Sequence, residues 1–134
     1  MVLEMKFFEI QSVKSYIERT KTRLRKAYFD EWVAWCAISD IVAKKMNMSE
    51  LDHLHMKKAT LCNYLRIDLE NRIGLKEDGS NLEEIASLKG NTKEFYEIRE
   101  LAKLYSESLL RNKDVTNKFS VLMSEEIKRI RGRK

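Results

Sequence analysis

Proline is absent from the 134 residues of this chain, and glycine occurs only four times. Both residues disfavour helix interiors, proline by about 3 kcal/mol and glycine by about 1 kcal/mol relative to alanine. Their scarcity, together with 43% hydrophobic and 35% charged residues, is typical of an all-α protein and argues against a β-sheet. The length is that of one domain, so we predict a single helical domain over residues 1–134.

Cysteines and long apolar runs are also scarce. Cys36 and Cys62 are far apart in the chain and form no Cys-x-x-Cys motif, so we expect reduced core thiols rather than a disulfide. No stretch of about 18 uncharged apolar residues is present, and the N-terminus has no apolar run of the kind found in signal peptides. We therefore expect a soluble, cytoplasmic protein without membrane insertion.

Apolar residues recur at spacings of three and four along most of the chain, which is the pattern of helices with one buried face. Thr20 and Thr22 indicate a point at which the first helix can bend. Short connections place neighbouring helices antiparallel. We therefore predict an elongated antiparallel bundle of three long helices plus one short connecting helix. The predicted helices cover about residues 3–46, 50–73, 82–88 and 92–131.

The last predicted helix, 92–131, carries an apolar seam with the spacing of a coiled coil. At 1.5 Å per residue it is about 60 Å long and outruns the middle helix, which is about 36 Å long. Either the helix breaks near 112–117, where Asn, Asp, Val and Thr are poor helix formers, and folds back, or another chain covers the seam. The predicted partner-binding residues are the apolar Phe119, Leu122, Met123 and Ile127 of this seam, together with Asn112 and Asn117.

The sequence shows no motif for catalysis, cofactor binding or metal binding. His53 and His55, the two histidines, are two residues apart on a helix and therefore point in different directions. Glu50 and His53 have the Glu-x-x-His spacing of di-iron bundles, but such a site needs a second copy of the motif, which is absent. Nucleophile elbows and phosphate-binding glycine loops are also absent. We therefore expect a non-enzymatic protein without cofactor or metal.

The net charge of +5 is distributed unevenly and leaves two classes of function open. Residues 1–26 carry +4, residues 27–127 carry −4, and residues 128–134 carry +5. One class is a helical protein whose seam binds another protein. The alternative is a basic helical subunit that binds nucleic acid within a larger complex. Its contacts would come from Arg19, Arg23, Arg25, Lys128, Arg129 and Arg131.

A resemblance to a known family favours the first class. The stretch 65–75, Leu-Arg-Ile-Asp-Leu-Glu-Asn-Arg-Ile-Gly-Leu, is followed by Leu-Glu-Glu-Ile-Ala at 82–86 and by a long helix with Arg99-Glu100-Leu101, Asn112, Asn117, Phe119 and Leu122. Over about residues 51–123 this pattern resembles the FlgN-type flagellar (type III) export chaperones. The resemblance implies a three-helix antiparallel bundle with a short helix in its second connection.

The resemblance also implies a mechanism. The C-terminal part of the last helix would cover an amphipathic segment of an export substrate and prevent polymerisation before secretion. We therefore predict a cytosolic chaperone or adaptor whose partner is another protein, either an export substrate or a second copy bound through the C-terminal helix. Nucleic acid remains the alternative partner.

Overall fold

The computed structural model describes residues 2–87 and 92–132. These residues form six α-helices, which confirms the all-α class, in place of the predicted three long helices and one short helix. The predicted end of the short helix, residue 88, lies outside the described residues. The helices are α1 Val2–Thr20, α2 Lys26–Lys45, α3 Glu50–Ile73, α4 Leu82–Ser87, α5 Thr92–Leu110 and α6 Lys113–Arg131, with a 3-10 helix, Lys21–Arg23, between α1 and α2.

The central helix is α3, which contacts α1, α2 and α5. It begins after Ser49, whose hydroxyl accepts a hydrogen bond from the Asp52 backbone N at 3.1 Å and so caps the helix. It ends at Gly74, whose φ of +81° is a left-handed conformation that glycine adopts without steric cost. These bounds coincide with the predicted range 50–73.

The helix expected over 3–46 is divided into two. Arg25 is extended, with φ −65° and ψ 153°, and its backbone N donates to Asp68 Oδ2 at 3.1 Å. Leu24, just before it, is buried. Helix α1 runs parallel to α3, whereas α2 runs antiparallel to it, so the chain reverses direction between α1 and α2. The reversal depends on a side chain from α3, because the segment contains neither proline nor glycine.

The last helix is also divided, at residues 111–112. The Thr116 hydroxyl donates to the Leu109 carbonyl at 2.8 Å, whereas residues seven apart in a continuous helix are separated by about 10 Å along its axis. Asn112 caps the new helix by accepting from the Val115 backbone N at 3.4 Å. Of the two alternatives left open by the sequence, the helix therefore breaks, and α6 packs against α2.

Two hydrophobic clusters form the core. The larger surrounds Leu61 and Cys62 of α3 and joins it to α1, α2 and α5. The smaller contains Val42 of α2, Met56 of α3, and Phe119 and Met123 of α6. The seam expected to outrun the middle helix thus lies in the protein's own core. Among the residues that the structure describes, no helix has the length and apolar character needed to cross a bilayer.

Candidate functional site

The apolar residues predicted for partner binding lie on the inner side of α6. Phe119 and Met123 are 3% and 5% exposed, and the Phe119 ring meets Trp35 edge-on with centroids 5.9 Å apart. Leu122 and Ile127 are half-buried beside them. These four side chains attach α6 to α2 and α3, so they are not a freely exposed seam.

The two predicted asparagines have different positions. Asn112 caps α6 at the junction with α5, and its side chain is therefore part of the turn. Asn117 is exposed one turn further on. The structure does not bring either of them into the apolar cluster formed by Phe119 and Met123.

An open groove of about 430 Å³ runs along α6, and we call it the α6 groove. Its floor is made by the buried side chains of Met56, Phe119 and Met123. Half-buried residues from four helices form its walls, and exposed residues of α6 form one rim. The walls are Trp35, Thr60, Tyr105, Leu109 and Ile127, and the rim is Ser120, Ser124, Lys128 and Arg131.

The charges of the α6 groove have one sign. Lys128 and Arg131 line it, and no aspartate or glutamate among the residues that the structure describes does. Within the described residues, neither cation takes part in an ion pair. The nearby carboxylate of Glu126 points elsewhere, because it is buried between Arg129 and Lys45, with Lys45 Nζ at 2.9 Å from Oε2. The hydrogen bonds from Arg129 and Lys45 lower the pKa of Glu126 to about 2.

The six basic residues of the nucleic-acid alternative lie on separate parts of the molecule. Arg23 pairs with Glu97 of α5, and Arg25 pairs with Asp68, both near the C-terminal end of α3. The other three basic residues of this alternative that follow Glu126 lie on α6, which packs near Lys45 at the C-terminal end of α2. Several of the six are already engaged: the Arg19 side chain donates to the Ser15 carbonyl at 3.2 Å, and Arg129 pairs with Glu126. Lys128 and Arg131 line the α6 groove.

Ser39, His53 and Asp40 lie together but do not have the geometry of a catalytic triad. The Ser39 hydroxyl donates to the Cys36 carbonyl at 2.7 Å, so it accepts from His53 Nε2 at 2.9 Å. Asp40 Oδ1 is 3.5 Å from the same nitrogen, whereas a triad needs the carboxylate on the other one. Ser39 is also completely buried. Burial and the positive charge of Lys57 lower the pKa of His53.

A second histidine cluster joins three helical segments. His55 Nε2 lies 3.3 Å from Glu9 Oε1, and Arg111, at the α5–α6 junction, pairs with the same carboxylate. Burial, followed by the charge of Arg111, lowers the pKa of His55. The imidazole therefore favours its neutral form at this junction.

The remaining candidate groups do not form a reactive or metal-binding centre. Glu50 pairs with Lys14 at 2.9 Å and His53 contacts Ser39, so the Glu-x-x-His pair does not converge. Within residues 2–87 and 92–132, no three His, Cys, Asp or Glu side chains are placed to hold a metal ion. Burial raises the pKa of the Cys36 thiol to about 11, which disfavours the nucleophilic thiolate.

The groove residues that α2, α3 and α5 contribute were not predicted from the sequence. Thr60 and Met56 of α3 and Trp35 of α2 reach the site only because α6 turns at residue 112. Periodicity identifies each of these residues as buried or amphipathic but does not indicate which helices meet.

No family model, curated protein or solved structure matches this chain. The geometry and charge of the α6 groove are the features of this chain that bear on its function.

Proposed function

We propose that this protein is a protein-binding helical module that holds an amphipathic, acidic helix of its partner in the α6 groove. The single observation that carries the proposal is a groove with an apolar floor and two cations that, within the described part of the chain, have no ion-pair partner and no carboxylate beside them in the lining. An apolar groove beside a helix is a common docking site for an amphipathic helix. The cations favour glutamate or aspartate on the flank of that helix through charge complementarity.

The dimensions of the groove also support a helical occupant. The lining residues on α6 extend from Phe119 to Arg131, which corresponds to about 18 Å of helix, or roughly three turns. Ser120 and Ser124 on the rim are small, so a neighbouring helix can approach the floor closely. Trp35 and Tyr105 offer aromatic surface on the walls, and such residues are enriched at binding hot spots.

A more specific form of the proposal follows from the resemblance to FlgN-type chaperones. In this form the occupant is an amphipathic segment of an export substrate, and the protein acts in the cytoplasm to keep that segment covered until secretion. The contact would use the C-terminal part of the last predicted helix, which corresponds to α6. The turn at Asn112 changes the site from a free seam to a groove between helices.

The test uses a fluorescently labelled helical peptide of about four turns, with leucines on one face and glutamates on its flank. We expect Ser124→Trp, which fills the groove, to weaken binding by at least about tenfold in fluorescence anisotropy. The matched control is Glu125→Trp, which places the same side chain on the neighbouring exposed position outside the groove. We expect this control to change the affinity by less than about threefold.

A charge-reversal pair tests the cations separately. Lys128→Glu with Arg131→Glu should weaken binding by at least about tenfold, because both charges meet the acidic flank of the peptide. Lys113→Glu with Lys118→Glu makes the same change in net charge at exposed α6 positions outside the groove, and it should have a small effect. Equal losses from both pairs, or no binding by the wild-type protein at millimolar concentration, would contradict the proposal.

A further inference from the structure

The outer face of α2 carries an exposed stripe that is independent of the α6 groove, and we call it the α2 stripe. It consists of Asp30, Val33, Ala37, Ile41 and Lys44, all exposed. At 100° per residue these five positions fall within about 80° of the helix circumference. Val33 and Ile41 are 45% and 41% exposed, although both are large apolar residues. The opposite side of α2 supplies Trp32 and Ser39 to the interior.

The order of residues in the α2 stripe is symmetric about Ala37. Going outward from Ala37, the chain has an aliphatic residue four positions away on each side, Val33 and Ile41. It then has a charged residue seven positions away on each side. These two charges have opposite signs, since Asp30 precedes Ala37 and Lys44 follows it. The spacing of the five residues is therefore three, four, four and three.

This pattern is self-complementary in one orientation only. If two α2 helices lie antiparallel across a two-fold axis at Ala37, each Asp30 faces Lys44 of the other copy, and each Val33 faces Ile41. The alanines meet at the axis, where small side chains allow the two backbones to approach closely. A parallel arrangement would place Asp30 against Asp30 and Lys44 against Lys44, which is repulsive.

We infer that the α2 stripe is a homodimer interface in which α2 pairs antiparallel with α2 of a second copy of this chain. The charges are available for this pairing. Lys44 makes no ion pair within the described part of the chain, and Asp30 has only an exposed partner, Lys26, at 2.8 Å. Exposed pairs of that kind contribute little in the monomer. The dimer also covers Val33 and Ile41, which otherwise remain in water.

A single pair of helices buries less area than a standard protein interface, so the dimer forms at micromolar rather than nanomolar concentrations. Sedimentation equilibrium over about 10 µM to 1 mM is the appropriate measurement, because this range spans the dissociation constants expected for small interfaces. The wild-type protein should shift from monomer to dimer across this range. Only monomer throughout the range would overturn the inference.

Charge reversal tests the orientation. Asp30→Lys alone or Lys44→Asp alone places like charges together twice across the axis, and each should weaken the dimer by roughly tenfold. The double variant Asp30→Lys with Lys44→Asp restores both pairs, so its dissociation constant should return to within about threefold of the wild-type value. A dimer that survives the single reversals, or that the double variant does not restore, would refute the interface.

Cross-linking gives an independent measurement at the axis. In a Cys36→Ala background, Ala37→Cys should form an intermolecular disulfide on mild oxidation, because antiparallel helices in close contact bring symmetric positions within disulfide range. Glu31→Cys is the matched control, since it is exposed on α2 but lies off the stripe. Comparable cross-linking at both positions would contradict an axis at residue 37. Circular dichroism should show unchanged helix content, because all substituted stripe positions are exposed.

Discussion

Asp68 is the side chain on which the turn between α1 and α2 depends. Its side chain is 2% exposed and accepts hydrogen bonds from the backbone N of Arg25, from Arg25 Nε, and from Arg72 at 3.1 Å. Burial by itself would raise the pKa of Asp68. The hydrogen bonds from Arg25 and the charges of Arg72 and Arg25 outweigh burial and hold the pKa below its usual value. The ionised carboxylate is thus the form that stabilises the fold.

We expect Asp68→Asn to reduce the free energy of unfolding by about 2 to 3 kcal/mol. The change removes the charge that pairs with two arginines and leaves an amide where a buried acceptor is needed. Urea denaturation monitored by circular dichroism measures this loss. Glu18→Gln is the control, because Glu18 is exposed and pairs with the nearby Lys21 at 3.0 Å; its effect should be below about 0.5 kcal/mol.

The contribution of Asp68 has a defined pH dependence. Because the pKa is lower in the folded state, the stabilisation is complete above the unfolded value of about 3.9 and is lost as the pH falls through the folded pKa. The difference in stability between wild type and Asp68→Asn should therefore be constant from pH 7 to about pH 5 and shrink below about pH 4. A difference that vanished already at pH 6 would assign the effect to another group.

Among the elements, α6 matters most for the proposed function, because its direction decides whether a groove exists. Lys45 contacts Glu126, and Trp35 contacts Phe119, so contacts advance in the same direction along α2 and α6. Three consecutive residues then have graded environments: Val121 is 58% exposed, Leu122 is half-buried, and Met123 is 5% exposed. This gradient follows from attachment of α6 to the rest of the protein.

The three positions allow a direct test of that attachment. Replacing each in turn by aspartate should lower the free energy of unfolding by less than about 0.5 kcal/mol at Val121, about 1 to 2 kcal/mol at Leu122, and more than about 3 kcal/mol at Met123. The order reflects how far each carboxylate is removed from water. Chemical denaturation of the three variants is the measurement. Small and equal effects would mean that α6 does not pack on α2 and α3.

Sequence reasoning located α3 because its ends are marked locally. Ser49 has a hydroxyl that caps the first turn, and Gly74 has the freedom to take a positive φ at the last. Both signals are present within the segment itself. Predictions of this kind require no knowledge of the other helices.

The division of the first predicted helix could not be deduced in the same way. Thr20 and Thr22 indicate a possible bend, but they are also compatible with a continuous helix. The decisive partner of Arg25, Asp68, lies 43 positions away. The break at Asn112 had a local signal in its poor helix formers. Its consequence, a groove shared with α2, α3 and α5, again depended on long-range packing.

At the scale of the whole molecule, the accessible surface is large for the chain length. It is 9218 Å², whereas a compact monomeric protein of 15.9 kDa exposes about 7,400 Å². The excess, about 1,800 Å², is roughly twice the area that one partner buries in a standard protein interface. Surface of this size is consistent with a molecule that is covered by partners at the α6 groove and at the α2 stripe.

The charge distribution bears on the nucleic-acid alternative. Arg23 and Arg25 pair with carboxylates of the same chain, and their end of the molecule is separate from the end that carries α6. Among the six predicted nucleic-acid contacts, Lys128 and Arg131 are the pair that lines an open surface together. Of the six predicted contacts, a duplex or single strand that follows the protein would therefore meet Lys128 and Arg131 together on one open surface.

We predict weak oligonucleotide binding with a shallow salt dependence. Each phosphate neutralised contributes about 0.7 to 0.9 to the slope of log affinity against log salt, so a surface with two or three free cations should give a slope no steeper than about −3. Fluorescence anisotropy with a labelled single strand of about 20 nucleotides, titrated at several salt concentrations, measures it. Lys128→Glu with Arg131→Glu should abolish this binding.

Ser124→Trp distinguishes the two candidate functions, because it fills the groove and leaves both cations in place. It should therefore weaken binding of the acidic peptide and leave binding of the oligonucleotide nearly unchanged. The nucleic-acid alternative would be favoured by a salt slope of −5 or steeper. It would also require that replacing Arg19, Arg23 and Arg25 by alanine further weakens oligonucleotide binding. That result would require the two basic ends to bind one nucleic acid together, and the α6 groove would then no longer account for the partner of this protein.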